Sequence, residues 1–321
     1  MDGHPLIGKK LLLTGASGFT GYHACQRLVD LGIEVAALVR KPAPGLTAVG
    51  ADVFICDMQQ EELVQRIVER VQPNYVLHLA GMNAVAASWQ YPTHALHVNV
   101  MGTVHLLNAL RQVPDARSVI VTSKLKAILD PTVPPAHPYS YSKALQESVV
   151  LAWSAMYGLD VMLAAPSNLI GPGPSTGICS LLGKYTAERE RGHLDAAFSL
   201  SAKHDKRDFL DVRDAIAAYE AILCHGERGK TYRVESGQQR TLEEVATLYR
   251  RLALVDLPLH WREDGTSCSR SLAGACQTGS GDTDGSLDMT SPELKAWGWQ
   301  PRRSFEHTVA DILNYYRAQE R

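Results

Sequence analysis

The 321-residue chain is short of several things, and each shortage removes a class of protein. Its six cysteines (Cys25, Cys56, Cys179, Cys224, Cys268 and Cys276) form no C-x-x-C pair. Free thiols in a reducing, cytoplasmic setting fit that scatter better than a disulfide framework. Twelve histidines occur without an H-E-x-x-H or a close His/Cys cluster, so no metal centre is expected. Neither sign of charge dominates: 32 basic residues face 34 acidic ones, a net charge of −2. The chain therefore has no general electrostatic attraction to nucleic acid or to an anionic membrane. No apolar run reaches the roughly 20 residues of a membrane span, and the opening MDGHPLIGKK lacks a signal-peptide core. What remains is 45% apolar and 21% charged, a globular composition with room for two units.

The hydrophobic pattern supplies an organisation. Leu11 to Leu13 form a short apolar run, then comes a glycine-rich turn, then apolar positions Ala24, Leu28 and Leu31 at helical spacing with Gly32 as a stop. EVAALVR, ADVFICDM, YVLHLAG, SVIVTS and VMLAAPSN read as five further strands. EELVQRIVERV, HVNVMGTVHLLNALRQV and SKALQESVVLAWSAMYG read as helices between them. This alternation predicts a doubly wound parallel α/β sheet. It breaks near PSNLIGPGPSTG, which divides residues 1–167 from a smaller mixed α/β region over 168–321, some of whose segments are expected to pack back on the sheet. Residues 265–286, rich in Gly, Ser and Thr, read as a long flexible loop.

TGASGFTG places Gly15, Gly18 and Gly21 between the first strand and the first helix. Glycines there allow a tight turn and a close approach of backbone to a pyrophosphate, whose charge is favoured at a helix N-terminus. An ordinary strand-to-helix turn has the same pattern; the following alternation favours the dinucleotide. At the end of the second strand, where a carboxylate would bind an adenosine ribose and select NAD(H), the chain has Arg40. A guanidinium pairs instead with a 2′-phosphate, so NADP(H) is favoured and NAD(H) remains possible. In PYSYSKALQE, Tyr139 and Lys143 are four apart and share a helical face, whereas Tyr141 points elsewhere. By spacing alone the pair is either an acid/base couple or a surface contact.

TGASGFTG, HLAG (78–81), Asn99, Ser123 and Tyr139-x-x-x-Lys143 occur in the order that resembles the extended short-chain dehydrogenase/reductase family. PSNLIGPG, RDFLDVRD and the tail LKAWGWQPRRSFEHTVADILNYYR look like its nucleotide-sugar branch, and are most similar to GDP-4-keto-6-deoxy-mannose reductases. The resemblance implies a Rossmann-type domain and a catalytic set of Ser123, Tyr139 and Lys143. Tyr139 would be the acid/base, its pKa lowered by the Lys143 ammonium, and Ser123, closing the strand SVIVTS, would bond the substrate oxygen. Cofactor contacts are implied at Gly15, Ser17, Gly18, Phe19, Thr20, Gly21, Arg40, Asp57, Met58, Leu79, Ala80, Gly81, Asn99 and Pro166, besides Tyr139 and Lys143. Asp57 reads equally well as a turn or cap residue. Asn99, an amide inside an apolar helical pattern, would support Lys143 through water and needs partners if buried. Substrate contacts are implied at Asn83, Ser123, Lys124, Asn168, Arg207 and Arg262, with Arg270 a competing phosphate ligand. A homodimer through a four-helix bundle of the helices near 99–111 and 142–157 is also implied.

Departures from the family sharpen the expectation. Sugar-nucleotide 4,6-dehydratases carry carboxylates directly after the catalytic Ser/Thr; this chain has Lys124 and Leu125, which cannot serve as a carboxylate base. Ala165 stands where the branch usually has arginine, and the segment after Ser123 is compact. The expected activity is NADPH-dependent reduction of a keto group on a nucleotide-linked 6-deoxy-4-keto sugar. A nucleotide-sugar 4-epimerase holding NAD is the alternative, and a non-catalytic dinucleotide-binding protein a more distant one.

Overall fold

The computed structural model describes residues 4–130, 132–200, 202–262 and 290–319. The expected loop at 265–286, with Arg270, Cys268 and Cys276, lies outside the described residues. Seven strands form one sheet: β1 (Lys10–Thr14), β2 (Glu34–Val39), β3 (Asp52–Ile55), β4 (Tyr75–His78), β5 (Arg117–Val121), β6 (Val161–Pro166) and, far along the chain, β10 (Thr231–Val234). Their order is β10-β6-β5-β4-β1-β2-β3 and every pairing is parallel. Leu11 pairs with Val35 on one side and Tyr75 on the other, so β1 is central. The switch in strand order falls between β1 and β4, and the carboxyl ends there are where such sheets bind ligands. Both faces of a parallel sheet are covered by helices, which explains why β6 is buried at all six positions.

The helices of this sheet follow from local signals. α1 (Phe19–Asp30) starts at the extended Gly18 and ends before Gly32, whose φ of 78° is left-handed. A short α2 (Pro44–Ala48) follows β2. α3 (Glu61–Val71) buries Val64, Ile67, Val68 and Val71 along one stripe. Burying such side chains stabilises by about 1.5–3 kcal/mol each, and they pack with Leu12, Leu38, Val76, Leu106 and Leu110 in one core. α4 (Val85–Gln90) and α5 (Pro92–Leu96) lead into a π-helical turn, His97–Met101, that runs into α6 (Gly102–Leu110). α7 (Pro138–Tyr157) has proline in its first turn and stops at Gly158 in the left-handed region. The sequence pattern starts this helix at Ser142; proline's compatibility with the first helical turn extends it back to Pro138.

Two compact units are present: Met1–Pro166 with Ile216–Val234 and Thr290–Trp299, and Ser167–Ala215 with Glu235–Met289 and Gln300–Arg321. In the second, β7 (Asn168–Ile170), β9 (Lys206–Asp211) and β11 (Gln239–Thr241) form a mixed sheet, and β8 (Phe198–Leu200) pairs with β12 (Leu259–Trp261). Its helices α8 (Ile178–Glu190), α10 (Leu242–Leu252) and α12 (Phe305–Ala318) bury Leu182, Tyr249 and Ile312 together. α9 (Val212–His225) follows β9, and a short α11 (Pro292–Ala296) precedes the last helix. Thr241 and Glu244 close a reciprocal capping box on α10. The buried carboxylate of Asp208 accepts from Ser167, from Ser236, and from the amides of Gly237 and Gln238, fixing that turn. Among the described residues no helix is long and apolar enough to cross a membrane.

Candidate active site

The glycine-rich turn sits at the end of β1, and its glycines are required by space as well as by torsion. Gly15 has φ of 68°, and a Cβ there would lie 2.7 Å from the Ala80 amide nitrogen. A Cβ at Gly21 would overlap the backbone of Gly15 and Ala16. α1 can therefore start hard against the strand end. Its first amides, at Phe19, Thr20 and Gly21, have no intrahelical acceptor, no acidic side chain lies in the first turn, and Ser17 and Gly18 are exposed beside them. The cradle fits a dinucleotide pyrophosphate.

Other expected cofactor residues line the same edge. Arg40 is exposed immediately after β2. Asp57 accepts from the Gln59 backbone and amide side chain, which is the geometry of a turn aspartate. Met58 is a core side chain packed beneath Gly102. Leu79 and Ala80 extend β4, their amides donating hydrogen bonds to the Thr14 carbonyl and hydroxyl. A Cβ on Gly81 would stand 3.1 Å from Asn99 Oδ1 and 3.3 Å from Lys143 Nζ, so this glycine leaves room where those two groups converge. Asn99 is wholly buried and has the partners its position demands: it accepts from the Met82 amide at 2.7 Å and donates to the Met82 carbonyl and to Ser142.

Tyr139 and Lys143 occupy successive turns at the start of α7 and are both buried, whereas Tyr141 is 40% exposed. The Tyr139 amide donates to Ser88 Oγ at 3.0 Å. His137 caps the helix by accepting from the Ser140 amide at 2.9 Å, and its ring stacks on Tyr139 at 5.8 Å. Ser123 lies two residues past β5, in a turn closed by the Leu125 amide, rather than in the strand itself. Its hydroxyl hydrogen-bonds the Tyr139 phenol.

The electrostatics differ from the sequence expectation. Burial raises the Tyr139 phenol above its ordinary pKa, and the Ser123 hydroxyl is what pulls it back. The Lys143 ammonium donates to Gln146 Oε1 at 3.0 Å, and burial brings its own pKa down to about 8. At neutral pH the phenol holds its proton and the lysine its charge.

Of the expected substrate residues, Asn83 is exposed near Gly81, and Lys124 bonds through its amide to the carbonyl of Pro166, the last residue of β6. Lys126 is paired with Glu147 at 2.6 Å. In the second unit Asn168 donates to the Asp208 carbonyl, Arg207 lies 3.8 Å from Asp205, and Arg262 is exposed beside Leu200. Gln146, Thr103, His78 and His137 also stand at the site, without a motif of their own in the sequence to mark them. His78, in HLAG, had only its place at a strand end to mark it.

A glycine cradle at the switch point of a doubly wound sheet, with a half-buried Ser123 in the turn after β5 beside the buried Tyr139 and Lys143 of α7, defines a dinucleotide-dependent oxidoreductase. A family model, the NAD dependent epimerase/dehydratase family, matches residues 11–234, and the chain belongs to that family. It is an NAD(P)-dependent oxidoreductase of the extended short-chain dehydrogenase/reductase type. The GDP-6-deoxy-D-mannose reductase of Pseudomonas aeruginosa is 30% identical over 263 residues, covering 78% of this chain and 82% of that one. The dTDP-glucose 4,6-dehydratase of Xanthomonas campestris is 28% identical over 333 residues, covering 95% and 92%. The structure of RMD from Pseudomonas aeruginosa complexed with NADPH matches with a TM-score of 0.75 at 26% identity, over 97% of this chain and 99% of that one.

Proposed function

We propose that the protein reduces the keto group of a nucleotide-linked 6-deoxy-4-keto sugar with NADPH. The observation that carries the reading is Tyr139: a buried phenol that keeps its proton at neutral pH, bonded to Ser123 and followed one turn later by the Lys143 ammonium. Reduction of a carbonyl needs a proton donor in its protonated resting form, which this phenol is. When bound, the nicotinamide supplies the hydride. Ser123 would hold the carbonyl oxygen, Tyr139 would release its proton to that oxygen, and the Lys143 charge would stabilise the phenolate left behind.

Dehydration is disfavoured by the same loop. No carboxylate directly follows Ser123, where Lys124 and Leu125 stand; Leu125 is 48% exposed, and the nearby Glu147 is held by Lys126. The GDP-sugar reductase relative and the NADPH-bound neighbour support GDP as the nucleotide and NADPH as the donor, with Arg40 as the group for its 2′-phosphate. Asn168, Arg207 and Arg262 are assigned to the substrate on the family pattern. A homodimer through α6 and α7 belongs to the same reading; Met101, Met156 and Tyr157 expose apolar surface there, and sedimentation velocity tests it.

The experiment is a 340 nm assay of NADPH oxidation with GDP-4-keto-6-deoxy-mannose, with product identified by NMR. Stoichiometric oxidation supports the proposal. Protein that purifies with NAD and interconverts nucleotide sugars without net NADPH oxidation would identify the epimerase reaction instead.

A further inference from the structure

Behind Lys143 runs a row of polar side chains that neither the cofactor nor the substrate assignment uses. Lys143 Nζ donates to Gln146 Oε1 at 3.0 Å, and Gln146 Nε2 donates to Thr103 Oγ1 at 2.9 Å. Thr103 Oγ1 meets His78 Nε2 at 3.0 Å, His78 Nδ1 meets Thr14 Oγ1 at 2.7 Å, and Thr14 Oγ1 accepts from the Ala80 amide. Thr14, His78, Thr103 and Gln146 are fully buried and Lys143 is 2% exposed. The row begins on α7, crosses α6 and β4, and ends on the residue preceding Gly15.

Hydrogen counting fixes its direction. Thr103 spends its one hydroxyl proton on the Asn99 carbonyl at 2.8 Å. It must therefore accept from both Gln146 and His78. His78 is then the Nε2–H tautomer, accepting from Thr14 at Nδ1, and it stays neutral because burial and the Lys143 charge hold its pKa down to about 3. No member can pass a proton from one end to the other, since Gln146 accepts at its oxygen, donates at its nitrogen and exchanges neither. The row therefore serves position and not proton relay.

We propose that Gln146 is a positioning residue for Lys143: it aims the ammonium and, through Thr103 and His78, ties it to the strand end that carries the glycine-rich turn. The effect is to keep the lysine in register with the cofactor cradle. The proposal rests on the assignment of Lys143 to the proton-transfer site, but its main readout needs neither substrate nor turnover.

That readout is the titration of Lys143 in the free protein, followed by NMR of 13Cε-labelled lysine and assigned with Lys143→Arg. In the native protein the midpoint is expected near 8. Gln146→Glu, nearly isosteric, puts a carboxylate against the ammonium and should raise the midpoint by at least about one unit. Gln146→Met should lower kcat by about tenfold or more while leaving KM for the keto-sugar within about twofold, because it frees the lysine without touching the substrate. If Gln146→Met does not fold, the Gln146→Glu titration decides alone. A midpoint unchanged in Gln146→Glu would overturn the proposal, as would native kcat in a folded Gln146→Met. A shifted midpoint in a protein that fails to reduce the keto-sugar would support the positioning role and refute the reductase reading separately.

Discussion

Replacing Lys143 by Met is expected to stabilise the protein at neutral pH while abolishing its activity. The pKa of this lysine falls from 10.5 to about 8, and burial is the cause. At about 1.4 kcal/mol per pKa unit, keeping the charge buried costs about 3 kcal/mol below pH 8. Met keeps most of the volume and removes the charge, but leaves Gln146 Oε1 without its donor, which costs about 1–3 kcal/mol. The balance at pH 7 is a gain of about 1 kcal/mol, or roughly 1–2 °C in Tm for a chain of this length. The pH dependence is sharper. Between pH 8 and 10.5 the unfolded chain binds the lysine proton and the native protein does not, so native stability rises with pH across that window. The advantage of Lys143→Met should therefore shrink and reverse as pH rises through it. Tyr139, raised above 10, acts in the opposite sense only above pH 10, and does so in both proteins. Thermal melts of both proteins from pH 6.5 to 10 are the assay. A stability difference that stays constant across that range refutes the reasoning.

Further outcomes follow from other groups at the site. Tyr139→Phe should lower kcat by at least about 10²-fold, the usual scale for a general acid, with NADPH binding retained by fluorescence titration. Gly21→Ala should weaken NADPH binding by more than about tenfold, because its Cβ would displace the Gly15 backbone. Arg40→Ser should shift the NADPH/NADH ratio of kcat/KM towards NADH by about tenfold or more, as expected when a charged bond to a 2′-phosphate is lost. His78, lowered from 6.5 to about 3, makes native stability fall as pH drops below 6.5, since the unfolded chain takes up the proton first. His78→Gln should flatten that acid limb in urea melts from pH 4 to 7.

The elements that the sequence displayed best are those whose own residues carry the whole signal. The stripe of α3 is complete in EELVQRIVERV, and its bounds, Glu61 to Val71, match to the residue. The glycine turn is likewise local, because the clash that forbids a Cβ at Gly21 comes from Gly15 and Ala16 a few residues away. β10 was not legible: TYRV is four residues long, and its partner β6 ends 65 residues earlier in the chain. Gln146 was missed because a polar residue in a helix reads as a solvent face, and only the placement of Thr103 shows otherwise. The tyrosine–lysine spacing correctly put two side chains on one face of α7. It could not reveal that the ammonium turns to Gln146 or that burial raises the phenol's pKa.

The late arrival of β10 has a consequence for synthesis on the ribosome. β6 ends at Pro166 and its outer neighbour is completed only at Val234. At about 5–20 residues per second, those residues take roughly 3–14 s to emerge. For that interval the nascent sheet ends in a strand buried at all six positions in the finished molecule, with unpaired amides along one side. Sites that slow translation between the codons for Ser167 and Val234 would lengthen that exposure, whereas the same slowing after Val234 would not.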